Sequence, residues 1–493
     1  MNVLLALPII VPLFGAALAI VFRNLVIQRV ISFVSLSISL VSATIITIDV
    51  SRDTSIAVSR LGGWPANIAI TLVADRLAAM LLFISVSLLL IVLCFAIGQR
   101  SVDEHSPIYH PVYLILATGI SQAFLAGDLF NLFVAFELML MSSYVLLTLD
   151  GTDKQIKSGV TYVVLNVLKS LLLLTAVGLI FAATGTVNMS ELPELLAALP
   201  ESVRTGLNLL LLVAFGIKAA VFPLYFWLPD SYPTAPSSVT AVFAGLLTKV
   251  GVYGIIRTET LLFPGDQANL LIWIAAFTMV IGVIGALAQT QMKRLLSFHI
   301  VSQIGYIVMG IGLGTKVALT ATVFYIMHQI PVKASLFLVE GIIERETGQT
   351  EFDKVGGLAR RSGFFGLLFL IPALSLAGVP PFSGFLAKYT LIRSGFDDGQ
   401  WVIIGIAIAV SLMTLISMTK IWIGLFWGEI MPPIPTERVG ILRHHQLMTF
   451  STVFLVGGTL VVALMAGPLY EFCVGAAEQL VDPMMYVNAV RGS

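Results

Sequence analysis

Between Gly216 and Lys249 the chain reads GIKAAVFPLYFWLPDSYPTAPSSVTAVFAGLLTK. Lys218 and Lys249 stand inside apolar runs, and Pro223, Pro229, Pro233 and Pro236 fall between them. A lysine in hydrocarbon costs about 2.5–3.5 kcal/mol on insertion scales, so it faces protein or water and tends to mark an ion path. Pro223 has no N–H and leaves the carbonyl of Ala219, next to Lys218, without its helical donor. Broken backbone at membrane depth is tolerated only where protein or a water-filled cavity receives the freed groups. The stretch therefore predicts an internal hydrated site; a purely structural kink is the alternative.

The rest of the chain is of the same kind. Of 493 residues, 58% are hydrophobic and 11% charged, against about 25% charged in a soluble domain, and mean hydropathy is +0.99. This is the composition of an integral membrane protein. The 27 basic and 27 acidic side chains cancel, so net charge points to no nucleic acid and no acidic partner. Cys94 lies in an apolar run and Cys473 near the C-terminus, with no spacing suited to a metal or a disulfide framework. No P-loop, dinucleotide fingerprint, HExxH, haem or iron–sulfur pattern occurs in the sequence, so neither cofactor nor metal is expected, and transport is indicated rather than enzyme catalysis. The opening MNVLLALPIIVPLFGAALAIVF lacks a basic leader and predicts a retained first helix.

A hydrocarbon core of about 30 Å needs about 20 apolar residues per helix. On that criterion the sequence predicts an all-α polytopic protein with fourteen spans, at roughly 3–22, 27–48, 72–98, 108–126, 129–149, 158–183, 206–228, 233–257, 268–290, 296–314, 318–343, 363–392 with a break, 401–428 and 446–468. Helices are the only spans expected, because unpaired backbone in lipid is costly and nothing alternates like a barrel strand. With each loop numbered by the helix it follows and counted with the helix ends beside it, thirteen basic residues, Arg100, Arg438 and Arg443 among them, fall at odd loops and seven, including Arg76 and Arg257, at even loops. That bias places the odd loops in the cytoplasm and both termini outside. It leaves Lys169, Lys218, Lys249, Lys333, Lys388 and Lys420 inside apolar segments, and no arginine. Lysine changes protonation on burial whereas arginine stays charged, so the set suits reversible protonation; snorkelling to a helix end is the alternative, above all for Lys420. No repeat period or linker divides the chain, and residues 1–493 read as one membrane domain.

Other polar residues join the lysines. Glu137, in DLFNLFVAFELMLMSSYVLL, lies nine residues beyond Asp128, about 13 Å into the membrane at about 1.5 Å rise per residue. At that depth a carboxyl group is either protonated or paired with a cation. Asp75 and Asp128 stand at helix ends and read as caps. Lys249, in AGLLTKVGVYGIIR, has Tyr253 one turn on, although a neighbouring carbonyl would also satisfy its ammonium. His328 and Lys333 share FYIMHQIPVKASLFLVEG on adjoining faces; a histidine there relays protons or serves as a structural donor. Glu340, seven residues past Lys333, is its expected counter-ion. Lys388 follows SLAGVPPFSGFLAK, where Pro380 and Pro381 make a second break beside a lysine. Two such interrupted segments point to a transporter built from repeats. His299, in KRLLSFHIVSQIGY, reads as a solvated histidine near a helix start or as an access group. No carboxylate cluster matches the oxygen-rich shell that a hard cation requires.

Taken together, FELMLMSSYVLL, GIKAAVFPLYFWLPDSYPTAPSSV, GLLTKVGVYGIIR, KRLLSFHIVSQIGY, HQIPVKASLFL and AGVPPFSGFLAK resemble the antiporter-like subunits shared by Mrp-type cation/proton antiporters and the membrane arm of respiratory complex I. The likeness covers almost the whole chain. It implies fourteen helices, with helices 4–8 and 9–13 as two inverted five-helix repeats and with helices 7 and 12 broken. It also implies Glu137 and Lys218 as an input pair, Lys249 and His328 as a central relay, and Lys388 as the outlet or handover lysine; the residues themselves, not the resemblance, put Lys333, His299 and Glu340 in secondary places. Lysine at the twelfth helix, the GTVNMSEL loop and the short tail resemble the D-type branch of the Mrp members, whereas Gln329 departs from relatives that carry a second histidine there. The resemblance implies a proton-translocating subunit of a Na+/H+ antiporter in the cell membrane, with other membrane subunits as partners. A redox-driven proton pump of complex I or membrane-hydrogenase type is the alternative, and a scaffold whose lysines merely satisfy carbonyls is the reading from another class.

Overall fold

A computed structural model of the protein describes residues 2–52, 55–63, 70–99, 102–104, 106–428 and 446–492. Arg100, Arg438 and Arg443 of the basic tally lie outside the described residues. The helices are α1 (Asn2–Val21), α2 (Leu25–Arg52), α3 (Arg76–Gln99), α4 (Tyr109–Leu125), α5 (Leu129–Leu147), α6 (Asp153–Thr184), α7 (Leu192–Ala197), α8 (Glu201–Ala219), α9 (Trp227–Ser231), α10 (Ser237–Leu262), α11 (Ala268–Leu287), α12 (Met292–Leu313), α13 (Lys316–Thr347), α14 (Leu358–Arg361), α15 (Gly363–Ala377), α16 (Ser383–Asp397), α17 (Trp401–Phe426), α18 (Gln446–Leu464), α19 (Ala466–Val481) and α20 (Pro483–Arg491). Among the described residues, twelve helices are long and apolar enough to cross a membrane. The 17-residue α4 and the 15-residue α15 and α16 fall below that length.

Layering follows from where polar side chains sit. The apolar windows of α10 and α13 are enclosed by protein on all sides, and that of α12 is 94% buried, whereas α1, α2, α6 and α17 present large apolar side chains outward. A buried polar group in hydrocarbon needs protein or water partners. The sequence accordingly puts Lys249, His299, His328 and Lys333 on the three enclosed helices.

The two proline breaks use a common device. At the first, α8 ends at Ala219 and Ala220 adopts left-handed φ 59°, a conformation that costs an L-residue about 1–2 kcal/mol. Its N–H closes onto the carbonyls of Gly216 and Ile217, and Trp227 at the start of α9 donates Nε1–H to the Ile217 carbonyl at 3.0 Å. At the second, α15 ends at Ala377 and Gly378 takes φ 85° without a Cβ penalty. The Phe222–Pro223 and Pro380–Pro381 bonds are both cis.

Two features depart from the sequence expectation, and a third lies where the sequence carries none. The segment after α2 carries an antiparallel strand pair, β1 (Ala57–Arg60) with β2 (Thr71–Ala74), in the register Ala57 to Ala74; β2 is buried throughout, so its backbone groups need partners within the protein. The tail is structured: Gln479 of α19 accepts the Arg76 backbone N–H at 2.9 Å, Lys316 pairs with Glu478 at 2.7 Å, and Arg60 donates to the Val490 carbonyl at 2.7 Å. Finally, Arg257, counted as a helix end beside an even loop, is followed by a further turn of helix. It lies in α10, 4% exposed, and meets Asp75 at 2.6 Å, so a buried arginine does exist and carries its own counter-ion.

Candidate functional site

Lys169, Lys218, Lys249, Lys333, Lys388, His299 and His328 are each at most 3% exposed. The α5–α6–α8 group comes first. Glu137 on α5 reaches Lys169 on α6, with Nζ to Oε1 at 3.7 Å, and accepts a hydrogen bond from Ser170. The Lys169 ammonium also lies over the Phe136 ring at 4.8 Å. Lys218, in the last turn of α8, donates to the Tyr162 hydroxyl at 3.3 Å, and that hydroxyl shares a 2.6 Å hydrogen bond with Ser143. The lysine in direct contact with Glu137 is thus Lys169, and Lys218, which the resemblance pairs with Glu137, is not in ion-pair contact with it. Lys218 still feels the Glu137 carboxylate, and its charge repels that of Lys169. Sequence spacing could not reveal this, because which of two lysines faces a carboxylate on a third helix depends on how α6 and α8 pack.

Close packing sets the next station. A Cβ at Gly251 would stand 2.5 Å from the Ala219 backbone nitrogen, so α10 lies against the first break only because position 251 has no side chain. Lys249, two residues earlier, donates to the Ala244 carbonyl at 2.8 Å. That carbonyl belongs to the π-helical turn Phe243–Leu247, where the i to i+4 ladder is interrupted. Tyr253 donates instead to the Phe124 carbonyl at 2.9 Å and accepts from Arg257 at 3.0 Å.

The third group surrounds the second break. Among the described residues Lys333 on α13 has no hydrogen-bond partner for Nζ, and it lies within electrostatic reach of Lys249 and Lys388. His328 shares a 2.9 Å hydrogen bond with Ser383, the first residue of α16, while its Nε2 has no partner among the described residues. Lys388 donates to the Ala377 carbonyl freed by the break and to Ser411, each at 3.2 Å, and sits 4.9 Å from the Tyr306 ring centroid. Pro331, Pro380 and Pro381 thus lie beside titratable side chains.

Three expectations change. His299 is no solvated end group: seven residues inside α12 it is 0% exposed and bonds Ser417. Glu340 is not the counter-ion of Lys333, because seven residues of helix is about 10 Å of rise; it meets Ser237 at 2.9 Å and the charge of Lys293 instead. Lys420 caps a helix end, donating to the Leu287 and Gln289 carbonyls at 2.8 Å each. Asp75 and Asp128 do cap, accepting from the Ala78 and Asn131 N–H groups at 2.8 and 2.6 Å.

Among the described residues, Glu137 is the one carboxylate ion-paired with any of these five lysines. Burying an unpaired ammonium costs several kcal/mol, and each added proton raises the cost of protonating a neighbour. The arrangement differs from a fixed salt-bridge network, in which each ammonium would have its own carboxylate.

The family model described as "NADH:quinone oxidoreductase/Mrp antiporter, TM" matches residues 126–414. The chain is 41% identical over 495 residues to the D-type subunit of the Na(+)/H(+) antiporter of Alkalihalophilus pseudofirmus, covering 99% of each. It is 36% identical over 501 residues to the corresponding D-type antiporter subunit of Bacillus subtilis, again covering 99% of each. Among solved structures, a chain of the Mrp complex from Dietzia sp. superposes with a TM-score of 0.93 at 33% identity over 100% of both chains. A chain of the membrane-bound sulfane sulfur reductase, an archaeal respiratory membrane complex, gives 0.87 at 25% identity over 99% of both.

Proposed function

Because the chain belongs to the NADH:quinone oxidoreductase/Mrp antiporter family, we propose that it is the proton-translocating D-type subunit of a multisubunit Na+/H+ antiporter of the cell membrane. The observation that carries the reading is the run of buried lysines with a single ion-paired carboxylate. In this reading Glu137 and Lys169 form the switch, Lys218 and Lys249 stand at and behind the first break, Lys333 and His328 bridge to the second, and Lys388 hands the proton on. His299 is a side station beside Lys388.

The topology proposed with it has fourteen spans. They are the twelve long helices, α4, and α15 with α16 as one broken helix. Helices 4–8 and 9–13 form two inverted repeats, residues 1–493 one membrane domain, and the odd loops and both termini lie inside and outside, respectively. The matching breaks at Ala219 and Ala377 support the repeats, and the basic-residue bias supports the orientation. The side chain of Glu137 is 34% exposed, at a depth where contact with lipid is costly; a neighbouring membrane subunit covering it is the natural partner.

A second reading, a proton-pumping subunit driven by redox chemistry elsewhere, draws on the likeness to a chain of an archaeal respiratory complex. Flavin- or cluster-bearing subunits in the purified complex would favour it, and membrane subunits alone would favour antiport. Antiport is tested with the complete complex in proteoliposomes: Lys218→Ala is expected to abolish Na+-driven proton movement with the complex still assembled, and full flux in that variant would refute the proposal.

A further inference from the structure

At one end of α13 a second titratable cluster lies outside the line of lysines. Ser237, the first residue of α10, places its Oγ 2.9 Å from Glu340 Oε2 and 2.8 Å from Glu344 Oε2. A hydroxyl has one hydrogen to donate, so it serves one carboxyl group and must accept from the other. Two ionised carboxylates around one hydroxyl would leave an oxygen facing a lone pair at hydrogen-bonding distance. Lys293 on α12 selects which is ionised, since its ammonium lies 3.3 Å from Glu344 Oε2.

We propose that Glu340, Ser237 and Glu344 form a proton-holding bridge through which the antiporter exchanges protons with the odd-loop face, a reading that rests on the function proposed above. The protonated Glu340 Oε2–H donates to Ser237 Oγ, whose own hydrogen goes to the Glu344 carboxylate beside Lys293. Moving both hydrogens one step breaks the Glu340 O–H and Ser237 O–H bonds, forms new ones at Ser237 and Glu344, and leaves Glu340 ionised. No other reactant is needed.

Its placement suits exchange between bulk water and the interior. The Glu344 side chain is 44% exposed, while Glu340, one turn further in, is 0% exposed. Lys333 lies seven residues beyond on the same helix, about 10 Å deeper at about 1.5 Å per residue. Other charges facing the bridge are Lys293 and, through Lys293, Asp150 at the turn before α6. The approach of α10 to α13 is fixed at Gly341, where a Cβ would stand 2.7 Å from that of Ser237.

The test uses the assembled complex. Infrared difference spectra are expected to show a protonated-carboxyl C=O band that disappears in Glu340→Gln, shifts in Ser237→Ala and persists in Lys218→Ala. In proteoliposomes Glu340→Gln and Ser237→Ala are expected to slow proton uptake from the odd-loop face at least tenfold, with partial recovery in Glu340→Asp. A band untouched by Glu340→Gln, or wild-type uptake in both variants, would overturn the bridge. Full flux in Lys218→Ala with the band intact would instead remove the wider proposal and leave the proton-holding cluster standing.

Discussion

Replacing Lys169 with methionine separates two ways in which Glu137 could act. At 3.7 Å and an effective dielectric of about 20, the attraction between Glu137 and Lys169 is about 4.5 kcal/mol. Burial of the ammonium opposes this by several kcal/mol, and the partly exposed carboxylate is screened. A net coupling on the order of 1–3 kcal/mol remains, or roughly 5- to 150-fold in an equilibrium. If the pair sets the field at Lys218, then Lys169→Met and Glu137→Gln should each reduce antiport by about that factor in reconstituted complex. The double variant should be little worse than the poorer single one, because members of one unit are not additive. Dye-monitored proton flux in vesicles, with assembly checked by subunit content, measures all three. Wild-type flux in Lys169→Met alongside a dead Glu137→Gln would refute the reasoning and return Glu137 to direct action on Lys218.

Other outcomes follow from the ends of the helices. Between α3 and α4, burial pushes the Asp103 carboxyl up, but His110 at 3.6 Å and Arg29 at 2.7 Å outweigh it and hold it below the usual carboxylate range. A depressed folded value means the contribution is complete above the unfolded pKa of about 3.9 and is lost as pH falls through the folded value; Asp103→Asn should remove on the order of 1–3 kcal/mol and flatten the acid limb of a thermal-stability profile. Breaking the Asp75–Arg257 pair by Arg257→Leu should destabilise the assembled protein by about 3–5 kcal/mol, with much of that recovered in the Asp75→Asn, Arg257→Leu double variant. Gly251→Ala should impair flux more than assembly, since the added methyl displaces the first break and not the outer packing; equal loss of both would count against the close-approach argument.

Legibility in the sequence divides along a physical line. Properties set by the local chain are readable: the apolar runs, the interruptions at Pro223 and Pro380, the caps at Asp75 and Asp128, and the burial of Lys218, Lys249 and Lys388. Properties set by which helix lies against which are not. Glu137 can be assigned a lysine but not Lys169; spacing sends Glu340 along its own helix to Lys333, while Ser237 and Lys293 meet it from two others. Arg257 closes an apolar segment and so looks like a helix end, because the turn that continues α10 to Leu262 begins with Thr258, Glu259 and Thr260, polar residues that nothing in hydropathy marks as helical.

The buried Arg257 sharpens the meaning of the lysines. It is paired with Asp75 at 2.6 Å, bonded to Tyr253 and stacked against the Tyr253 and Tyr486 rings at 5.0 and 5.4 Å. Every device that keeps a guanidinium charged and fixed is present there, on a residue that does not lose its proton. Lys333 is the opposite case: its Nζ has no hydrogen-bond partner among the described residues, and its charged neighbours are the lysines Lys249 and Lys388. A group whose charge had to persist would not be left in that state, because an uncompensated buried charge costs several kcal/mol. Arg257 thus has a permanent charge held by its own counter-ion, whereas Lys333 has none among the described residues, a difference that the proposed proton path would use.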